Sequence, residues 1–232
     1  MSFPVVVLLL LLVALFLFFF VLSPSKGSSR SCVMLVGPVG GGKTCLFHKL
    51  LSGEAVETVS SMVSREASVP VGGRDAQIVD FPGHERLRGP LFKEAQRAVG
   101  IVFVIDSAAM TVQARPAAEL LYDLLTSPDV AGRKVPISVI CNKSDKPGAK
   151  TPQRCQLILM NELQTLRKTC GTIETMNDGG SADKLKLGRD GQVFSFEHCE
   201  NAVTFSALSA KADEAQTVTF SAVKAFIAAT RA

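Results

Sequence analysis

Short apolar runs alternate along this chain with segments whose apolar residues recur at helical spacing. The runs over residues 32–36, 101–105 and 135–141 contain almost only apolar side chains and have the length of buried strands. Helical spacing predicts helices over residues 45–51, 91–99, 116–125, 151–169 and 212–229. Strands alternating with crossover helices predict a three-layer α/β domain with a mostly parallel sheet.

Two further patterns complete the predicted sheet. Residues 66–71 and 76–81 flank Gly72-Gly73, which predicts an antiparallel hairpin, and residues 202–205 supply the sixth strand. Residues 52–65 are rich in Ser and Thr and are interpreted as a loop. Residues 171–192 are polar, Gly-rich and without periodicity, so we expect a flexible insertion there.

One predicted helix, residues 151–169, carries its apolar residues as a single stripe. We interpret this stripe as packing rather than as a cofactor site. Its members are Leu157, Met160, Leu163 and Leu166.

The hydrophobic content of 47% is concentrated at the N-terminus. Residues 3–22 contain no charged side chain, and 20 helical residues at about 1.5 Å each span roughly 30 Å of bilayer hydrocarbon. We therefore predict a transmembrane helix in residues 1–22, a linker at 23–31 and the α/β domain at 32–232. A cleaved signal peptide is the alternative, but the N-terminus is uncharged and no clear cleavage motif follows the apolar run.

The orientation of the anchor follows from its flanks. Lys26 and Arg30 follow the apolar segment and no basic side chain precedes it, so the positive-inside rule places the C-terminal domain in the cytosol. The six cysteines show no C-x-x-C spacing and are expected to be free thiols, with Cys32 and Cys141 in the core. A net charge of +4 with no basic run gives no reason to expect direct binding of nucleic acid.

The first strand ends in a candidate phosphate-binding loop, Gly-Pro-Val-Gly-Gly-Gly-Lys-Thr, which fits G-x-x-x-x-G-K-[ST]. Glycines allow successive backbone N–H groups to turn toward one anion. Lys43 would reach the β and γ phosphates, and Thr44 would offer its hydroxyl to Mg²⁺ at a helix N-terminus. The predicted phosphate-binding residues are Gly37, Pro38, Val39, Gly40, Gly41, Gly42, Lys43, Thr44 and Cys45.

Asp80-Phe-Pro-Gly83-His84-Glu85 closes the second hairpin strand. Asp80 could hold Mg²⁺ through water and the N–H of Gly83 could bind the γ-phosphate, as in the switch II segment of GTPases. A switch I hydroxyl for Mg²⁺ has three candidates, which are Thr58, Ser60 and Ser61.

Two later motifs select the base. Asn142-Lys143-Ser144-Asp145 follows a buried strand and matches N-K-x-D, in which the Asp carboxylate accepts two hydrogen bonds that guanine supplies and adenine does not. Ser209-Ala210-Lys211 follows the last strand and matches S-A-K, whose backbone N–H contacts guanine O6. Together with the loop and Asp80, these motifs predict a GTPase of the P-loop class that binds GTP or GDP with Mg²⁺.

Hydrolysis is expected to be slow. His84 stands where many GTPases have a Gln that orients water, and the sequence leaves open whether it acts in catalysis or faces outward. No arginine finger can be assigned, since Arg86 and Arg88 lie in an exposed loop.

Several longer stretches resemble one GTPase family. Residues 80–88, Asp-Phe-Pro-Gly-His-Glu-Arg-Leu-Arg, are similar to the D-L-P-G-H-E-x-L-R of the signal recognition particle receptor β subunits, and residues 102–109 are similar to their V-F-V-V-D-S-A-A. Residues 58–62, Thr-Val-Ser-Ser-Met, resemble T-V-T-S-M and so place Ser60 at the switch Thr. Residues 162–167 and 194–196 also resemble that family, while residues 171–193 diverge.

The resemblance implies a Ras-like domain and a single-pass protein of the endoplasmic reticulum membrane. Its GTP-bound switch regions would bind the N-terminal domain of the receptor's α subunit during co-translational targeting, and contact with the ribosome or the translocon stays open. The alternative is an Arf- or Sar-type trafficking GTPase that recruits coat or tethering factors. Arf-type proteins begin Met-Gly for myristoylation, whereas this chain begins Met-Ser and has an apolar stretch without a polar face.

Overall fold

The computed structural model describes residues 32–54, 63–176, 185–189, 191–211 and 217–230. The predicted anchor, the linker and the switch I candidates Thr58, Ser60 and Ser61 lie outside the described residues. None of the helices within these ranges combines the length and the apolar character needed to cross a bilayer.

A six-stranded sheet forms the centre of the domain, in the order β2-β3-β1-β4-β5-β6. Only the pairing of β2 with β3 is antiparallel, and the other four neighbouring pairs are parallel. The strands are β1 (Cys32–Val36), β2 (Arg65–Val71), β3 (Arg74–Asp80), β4 (Ala98–Asp106), β5 (Ile137–Asn142) and β6 (Val203–Ala207). The predicted mostly parallel, six-stranded α/β fold is confirmed.

Five α-helices cover the two faces of this sheet. They are α1 (Lys43–Ser52), α2 (Arg88–Ala95), α3 (Met110–Thr126), α4 (Pro152–Met176) and α5 (Thr217–Ala229), with short 3₁₀ helices at Glu85–Leu87 and Phe196–His198. Successive side chains of β1 point to opposite faces of the sheet, so the core has two parts. Met34 packs with α2, α3 and α4, while Leu35 packs with α1 and α5. Burial of both faces explains why the central strands are continuous apolar runs.

The predicted hairpin is confirmed. Val71 pairs with Arg74, and the two residues between them, Gly72 and Gly73, have φ values of 60° and 80°. Positive φ at both central positions suits a two-residue turn and favours glycine. The hairpin places Asp80 at the end of β3, next to β1.

The second helix differs from its prediction. We expected residues 91–99 to be helical, but α2 ends at Ala95 and β4 begins at Ala98. Arg133 explains the early end, since its guanidinium donates to the carbonyls of Ala95 at 3.1 Å, Gln96 at 2.8 Å and Ala98 at 2.6 Å. A side chain distant in sequence thus satisfies the carbonyls that end the helix, and local periodicity cannot show this.

The third helix begins six residues before the predicted start at Pro116. The predicted bounds put Pro116 at the start of the helix, a position that proline favours. In the structure Pro116 lies inside α3 on its exposed side, while Met110, Ala114 and Ala117 are buried. Tertiary packing of this face offsets the cost of the interior proline.

The fourth helix is longer than predicted, and part of the predicted flexible insertion is therefore wrong. Residues 171–176 belong to α4 rather than to a flexible segment, while residues 177–184 and 190 lie outside the described residues. The chain beyond them is held in place, because Leu187 and Phe194 are buried in the core. Arg167 donates to the carbonyls of Arg189 and Gln192, and the N–H of Phe194 donates to Gln164 at 2.8 Å.

The packing stripe of this helix is also only partly correct. Leu163 and Leu166 are buried and Met160 packs against the core, but Leu157 is 52% exposed. Cys155 and Leu159 take the buried positions on that side. The last helix, predicted from residue 212, is described from Thr217, and residues 212–216 lie outside the described part.

The cysteine prediction is confirmed for the described thiols. Cys32, Cys45, Cys141 and Cys155 are buried and Cys199 is half-buried, and all five are free. Burial raises the pKa of Cys199 to about 11 and also raises that of Cys32. The four buried thiols are therefore core residues, and the thiols of Cys32 and Cys199 are protonated at neutral pH.

Candidate nucleotide-binding site

The phosphate-binding loop connects β1 to α1, and its carbonyl groups accept hydrogen bonds from side chains. Lys43 Nζ donates to the carbonyls of Gly37 and Pro38 at 2.9 Å each. The next carbonyls accept from side chains of other elements, namely that of Val39 from Gln113, that of Gly40 from Lys143 and that of Gly41 from Asn142. Among the described residues, only Gly41 of residues 39–42 has an acceptor for its N–H, the carbonyl of Pro38 at 3.4 Å. The loop therefore keeps backbone donors for an anion.

Close approach explains two of the loop glycines. A Cβ on Gly37 would lie 2.1 Å from the Val104 carbonyl oxygen, and one on Gly42 would lie 2.3 Å from Asn142 Nδ2. Both residues have positive φ, 146° and 92°, which L side chains rarely adopt. Cys45, predicted to contribute through its backbone at the start of α1, is buried with its thiol pKa raised by burial.

Lys43 is buried, with 6% of its surface exposed. Burial lowers the pKa of its ammonium group to about 8, and the charge of Asp80 opposes this only in part. Phosphate oxygens at the loop would supply the negative charge that this buried ammonium group lacks. The position and electrostatics of Lys43 thus suit the predicted role.

Thr44 and Asp80 meet at the expected Mg²⁺ position. The Thr44 hydroxyl donates to Asp80 Oδ2 at 2.8 Å, and Asp80 Oδ1 is buried with no hydrogen-bond partner among the described residues. Burial raises the pKa of Asp80, and the hydrogen bond from Thr44 and the charge of Lys43 counter it. A buried carboxylate with a free acceptor beside a hydroxyl fits a hard cation, which takes oxygen ligands and would neutralise charge on the phosphates.

Gly83 lies against the phosphate-binding loop. A Cβ there would be 2.5 Å from the Gly37 oxygen and 2.6 Å from Lys43 Nζ, so the switch II backbone reaches the lysine that is predicted to hold the γ-phosphate. The next residue, His84, is exposed, and its Nδ1 accepts the N–H of Arg86 at 3.4 Å at the start of the 3₁₀ helix. His84 is thus placed at the edge of the site rather than in its centre.

The base-recognition motifs are joined to the same loop. Besides its bond to Gly41, Asn142 accepts the N–H of Ala210 through Oδ1 at 3.0 Å. The Ser209 hydroxyl donates to Asp145 Oδ1, which links the S-A-K segment to N-K-x-D. Lys211 is exposed at the end of the motif. The N–H of Ala210, a predicted guanine donor, is therefore already used by Asn142 in this structure.

Lys143 adds a second link between the motif and the loop. Its Nζ donates to the Gly40 carbonyl at 2.7 Å and pairs with Asp106 at 2.5 Å, and its backbone has a φ of 61°, rare for a residue with a side chain. Although burial raises the pKa of Asp106, the bonds from Lys143 and from the N–H groups of Ala109 and Ala108 hold it below its usual value.

Three residues of the site were missed by the sequence interpretation. Asp106 pairs with Lys143, Ser107 donates its hydroxyl to the Asn142 carbonyl at 2.7 Å, and Gln113 contacts the loop. Asp106 and Ser107 follow the buried run 101–105, and polar residues at the carboxyl end of a parallel strand are a signal that could have identified them. Gln113 had no such signal, because it lies one turn inside a helix whose start was misplaced.

Known proteins are similar to this chain in sequence and in fold. Residues 28–203 match the family profile described as "Signal recognition particle receptor beta subunit". The Homo sapiens signal recognition particle receptor subunit beta is 38% identical over 195 residues, which cover 81% of this chain and 70% of the human protein. A structure described as the mammalian SRP receptor aligns with a TM-score of 0.70 at 30% identity, over 84% of this chain and 99% of that one.

More distant proteins show the fold. Two structures from Chaetomium thermophilum, described as an SRb-GTP/SRX complex and as SRb-GDP-Mg, align at 20% identity with TM-scores of 0.63, over 78% and 84% of this chain and 94% and 98% of theirs. ADP-ribosylation factor-like protein 4D of Mus musculus is 36% identical, but only over 123 residues, or 50% of this chain and 59% of that protein. The match to the receptor profile covers most of the chain. It includes the phosphate-binding loop, the segment from Asp80 to Gly83 and N-K-x-D, but not S-A-K. The chain belongs to the signal recognition particle receptor β-subunit family.

Proposed function

We propose that this chain binds GTP with Mg²⁺ and, in that state, binds the N-terminal domain of a receptor α subunit through its switch regions. The observation that carries the proposal is the direct contact of Asn142 with Gly41, which joins guanine selection to phosphate binding in a member of this receptor family. The relative described as an SRb-GTP/SRX complex supports a nucleotide-bound state that holds a partner.

We also propose which residues bind the nucleotide and the metal. The backbone of residues 37–45 would hold the phosphates with Lys43, and Asn142, Lys143 and Asp145 would hold the base together with residues 209–211. Thr44 and Asp80, the latter through water, would hold the metal with Ser60. Gly83 would sense the γ-phosphate from switch II, because its backbone already lies against Lys43. A relative described as SRb-GDP-Mg supports the metal assignment.

The location and topology are part of the proposal. Residues 3–22 would anchor the chain in the endoplasmic reticulum membrane, with residues 32–232 in the cytosol, where GTP is available. The uncharged apolar run and the basic side chains that follow it support this orientation. Binding of the α subunit there would bring targeted ribosomes to the membrane.

Intrinsic hydrolysis is proposed to be slow. His84 is exposed at the edge of the site, and its Nδ1 accepts the N–H of Arg86 within its own turn rather than a proton from water. GTP would then act chiefly as a ligand that stabilises one arrangement of the switches. Turnover faster than about one per second by the full chain alone would contradict this.

Affinity capture tests the partner. The tagged full chain, loaded with GTP or with GDP and immobilised, is incubated with membrane and cytosolic extract, and bound proteins are identified by mass spectrometry. Recovery of a receptor α subunit with GTP and not with GDP is expected. Recovery of coat or tethering factors instead would favour the Arf-type function, and equal recovery with both nucleotides would contradict the proposed switch.

A further inference from the structure

A cleft of about 360 Å³ lies between the switch II segment and α3, beside the phosphate-binding loop. We call it the switch II cleft. Most of its walls are apolar and include Val39, Phe81, Leu87, Leu91, Pro116 and Leu120. Its volume lies in the range of sites that enclose small ligands or anchoring side chains.

Gln113 provides an unsatisfied polar group in the wall of this cleft. Its Nε2 donates to the Val39 carbonyl at 3.4 Å, while its Oε1 is buried with no hydrogen-bond partner among the described residues. A buried acceptor without a partner is unfavourable, and a bond of 3.4 Å is long enough that little is lost when the amide turns. A donor entering the cleft could therefore pair with Oε1.

The charges around the cleft do not favour an anionic occupant. Glu85, a carboxylate of the lining, is exposed to solvent. Arg88, the basic residue of the lining, already pairs with Asp123 at 3.2 Å and lies 3.8 Å from Glu119. Its positive charge is thus compensated from α3, and an anionic ligand would gain little there. An apolar group with one hydrogen-bond donor matches both the walls and Gln113.

The chain itself cannot supply an aromatic group of this kind. It contains no tryptophan, and its single tyrosine, Tyr122, packs against the core from α3. The undescribed segments beyond residue 31 contain no aromatic residue. The aromatic residues within 1–31 are all phenylalanine, which has no hydrogen-bond donor in its side chain. None of these residues therefore offers the cleft an aromatic donor.

We propose that the switch II cleft receives an aromatic side chain with a hydrogen-bond donor, a tryptophan or a tyrosine, from the polypeptide that binds the switch regions. This inference rests on the proposed function for the identity of that polypeptide, the receptor α subunit. Tryptophan and tyrosine are enriched among the residues that dominate interface energies, because they bury a large area and still carry a donor.

The cleft is also connected to the nucleotide site. Gln113 contacts the loop at the Val39 carbonyl, and its Nε2 is 3.7 Å from where a Cβ of Gly40 would lie. Gly83, on the opposite wall, lies against Lys43. An occupant that moves either wall therefore changes contacts of the phosphate-binding loop, and the nucleotide and the occupant influence each other's affinity reciprocally.

The first experiment uses N-acetyltryptophanamide as the probe. The full chain is kept in solution with an amphipol. Because the chain contains no tryptophan, indole emission reports only the probe. We expect a saturable blue shift, and an affinity about fivefold to tenfold lower for the indole N-methylated probe, which lacks the donor. Gln113→Met, which keeps the length but removes the acceptor, should bring the two affinities within about twofold.

A cleft-filling variant provides the matched comparison. Pro116→Phe adds an aromatic ring at the exposed edge of the cleft and removes an interior helix proline, so the fold should tolerate it. Val112→Phe adds the same ring one turn earlier, at a position that is 82% exposed and does not line the cleft. Loss of the saturable shift in Pro116→Phe but not in Val112→Phe is expected. No saturable shift in the unmodified chain, or equal shifts in both variants, would overturn the proposal.

Capture of the α subunit separates this inference from the proposed function. If GTP-loaded chain retains the α subunit and Pro116→Phe reduces retention at least tenfold relative to Val112→Phe, both are supported. Equal retention by the two variants contradicts the cleft while leaving the proposed function intact. Failure of the unmodified chain to retain the α subunit contradicts the proposed function, and the probe titration still decides whether the cleft binds an aromatic donor.

Discussion

Asn142 donates its side-chain amide to the carbonyl of Gly41 at 2.8 Å, so the strand that carries the guanine motif is fastened to the phosphate-binding loop. The same side chain accepts the N–H of Ala210 at 3.0 Å. One buried amide thus joins three segments that are far apart in the chain. The two halves of the nucleotide site are therefore connected through the protein itself.

Replacing Asn142 with Ala should reduce both stability and nucleotide binding. It leaves the Gly41 carbonyl and the Ala210 N–H without their partner, at a cost of about 2–4 kcal/mol in the free energy of unfolding. Affinity for GTP and for GDP should fall together, since the loop and the base motif lose their common support. Urea unfolding and nucleotide titration of the full chain measure the two effects.

Asn201 offers a matched control for this substitution. Its buried amide also makes two hydrogen bonds, to the carbonyls of Val130 and Val135 at 3.1 and 2.8 Å. It lies before the amino end of β6, whereas the nucleotide motifs follow the carboxyl ends of the strands. Asn201→Ala should destabilise the fold by about 1–2 kcal/mol, somewhat less than Asn142→Ala, because the Val130 carbonyl keeps the N–H of Val135 and Asn201 Oδ1 has no partner among the described residues. Nucleotide affinity should stay within about twofold. Equal losses of affinity in both variants would mean that Asn142 acts only through stability.

Asp145→Asn tests the choice of base. The Ser209 hydroxyl can still donate to the amide oxygen, so stability should change little, whereas the two hydrogen bonds from guanine lose their carboxylate. Affinity for GTP is expected to fall about 100-fold, and xanthosine triphosphate should become the preferred ligand. Asp75→Asn removes the same charge from an exposed position in the hairpin and should preserve GTP binding. A retained preference for GTP in Asp145→Asn would show that the motif is misassigned.

The sequence was sufficient for the order of the strands and helices and for the motifs at the strand ends. Apolar runs such as residues 101–105 are buried on both faces of the sheet, and this makes them recognisable without a structure. It failed where distant residues decide the outcome. Arg133 ends α2 from another loop, and packing of Met110 extends α3 across Pro116. The role of Gln113 could not be predicted for the same reason, because its hydrogen bond to the Val39 carbonyl joins residues that are distant in the sequence.

Affinity for GTP should fall as the pH rises above about 8. Burial lowers the pKa of Lys43 to about 8 in the nucleotide-free chain, whereas phosphate charges would keep the same group protonated in the complex. Above pH 8 the complex therefore binds more protons than the free chain. Affinity should drop by up to about tenfold per pH unit, with proton uptake on binding.

The stability of the free chain should change in the opposite direction. In the unfolded chain Lys43 has its ordinary pKa of 10.5, so between pH 8 and that value the unfolded state binds more protons and the contribution of Lys43 to folding rises with pH. For the prediction on affinity, calorimetric titration with GTP in buffers of different ionisation heat measures the proton uptake on binding. Absence of proton uptake at pH 8.5 would show that Lys43 stays protonated without nucleotide.

Gly83→Ala should disturb the response to GTP more than nucleotide binding itself. The added Cβ would lie 2.5 Å from the Gly37 oxygen and 2.9 Å from the Pro38 carbonyl carbon, so switch II must move away from the loop. GDP affinity should change less than about threefold, while GTP-dependent capture of the partner is lost. Gly89→Ala is the control, since a Cβ there meets nothing within 4 Å and alanine favours helix α2. Capture that survives in Gly83→Ala would rule out this contact as part of the switch.

Two aspartates, Asp80 at the carboxyl end of β3 and Asp106 at that of β4, should respond oppositely to conversion into asparagine. Burial raises the pKa of Asp80, whose Oδ1 has no partner among the described residues, so a neutral isostere should stabilise the nucleotide-free chain by about 1 kcal/mol. The pKa of Asp106 is instead held low, against its burial, by Lys143 and two backbone N–H groups. Asp106→Asn should therefore destabilise the chain by about 1 kcal/mol.

The dependence on Mg²⁺ distinguishes the roles of the two carboxylates. For the unmodified chain, chelating Mg²⁺ with EDTA should speed the release of bound GTP, because the cation joins the phosphates to Thr44 and Asp80. In Asp80→Asn the release rate should be fast already and nearly insensitive to EDTA, although the folded chain is more stable. Asp106→Asn should keep its sensitivity to EDTA. A stabilised Asp80→Asn chain that still responds fully to EDTA would exclude Asp80 from the metal site.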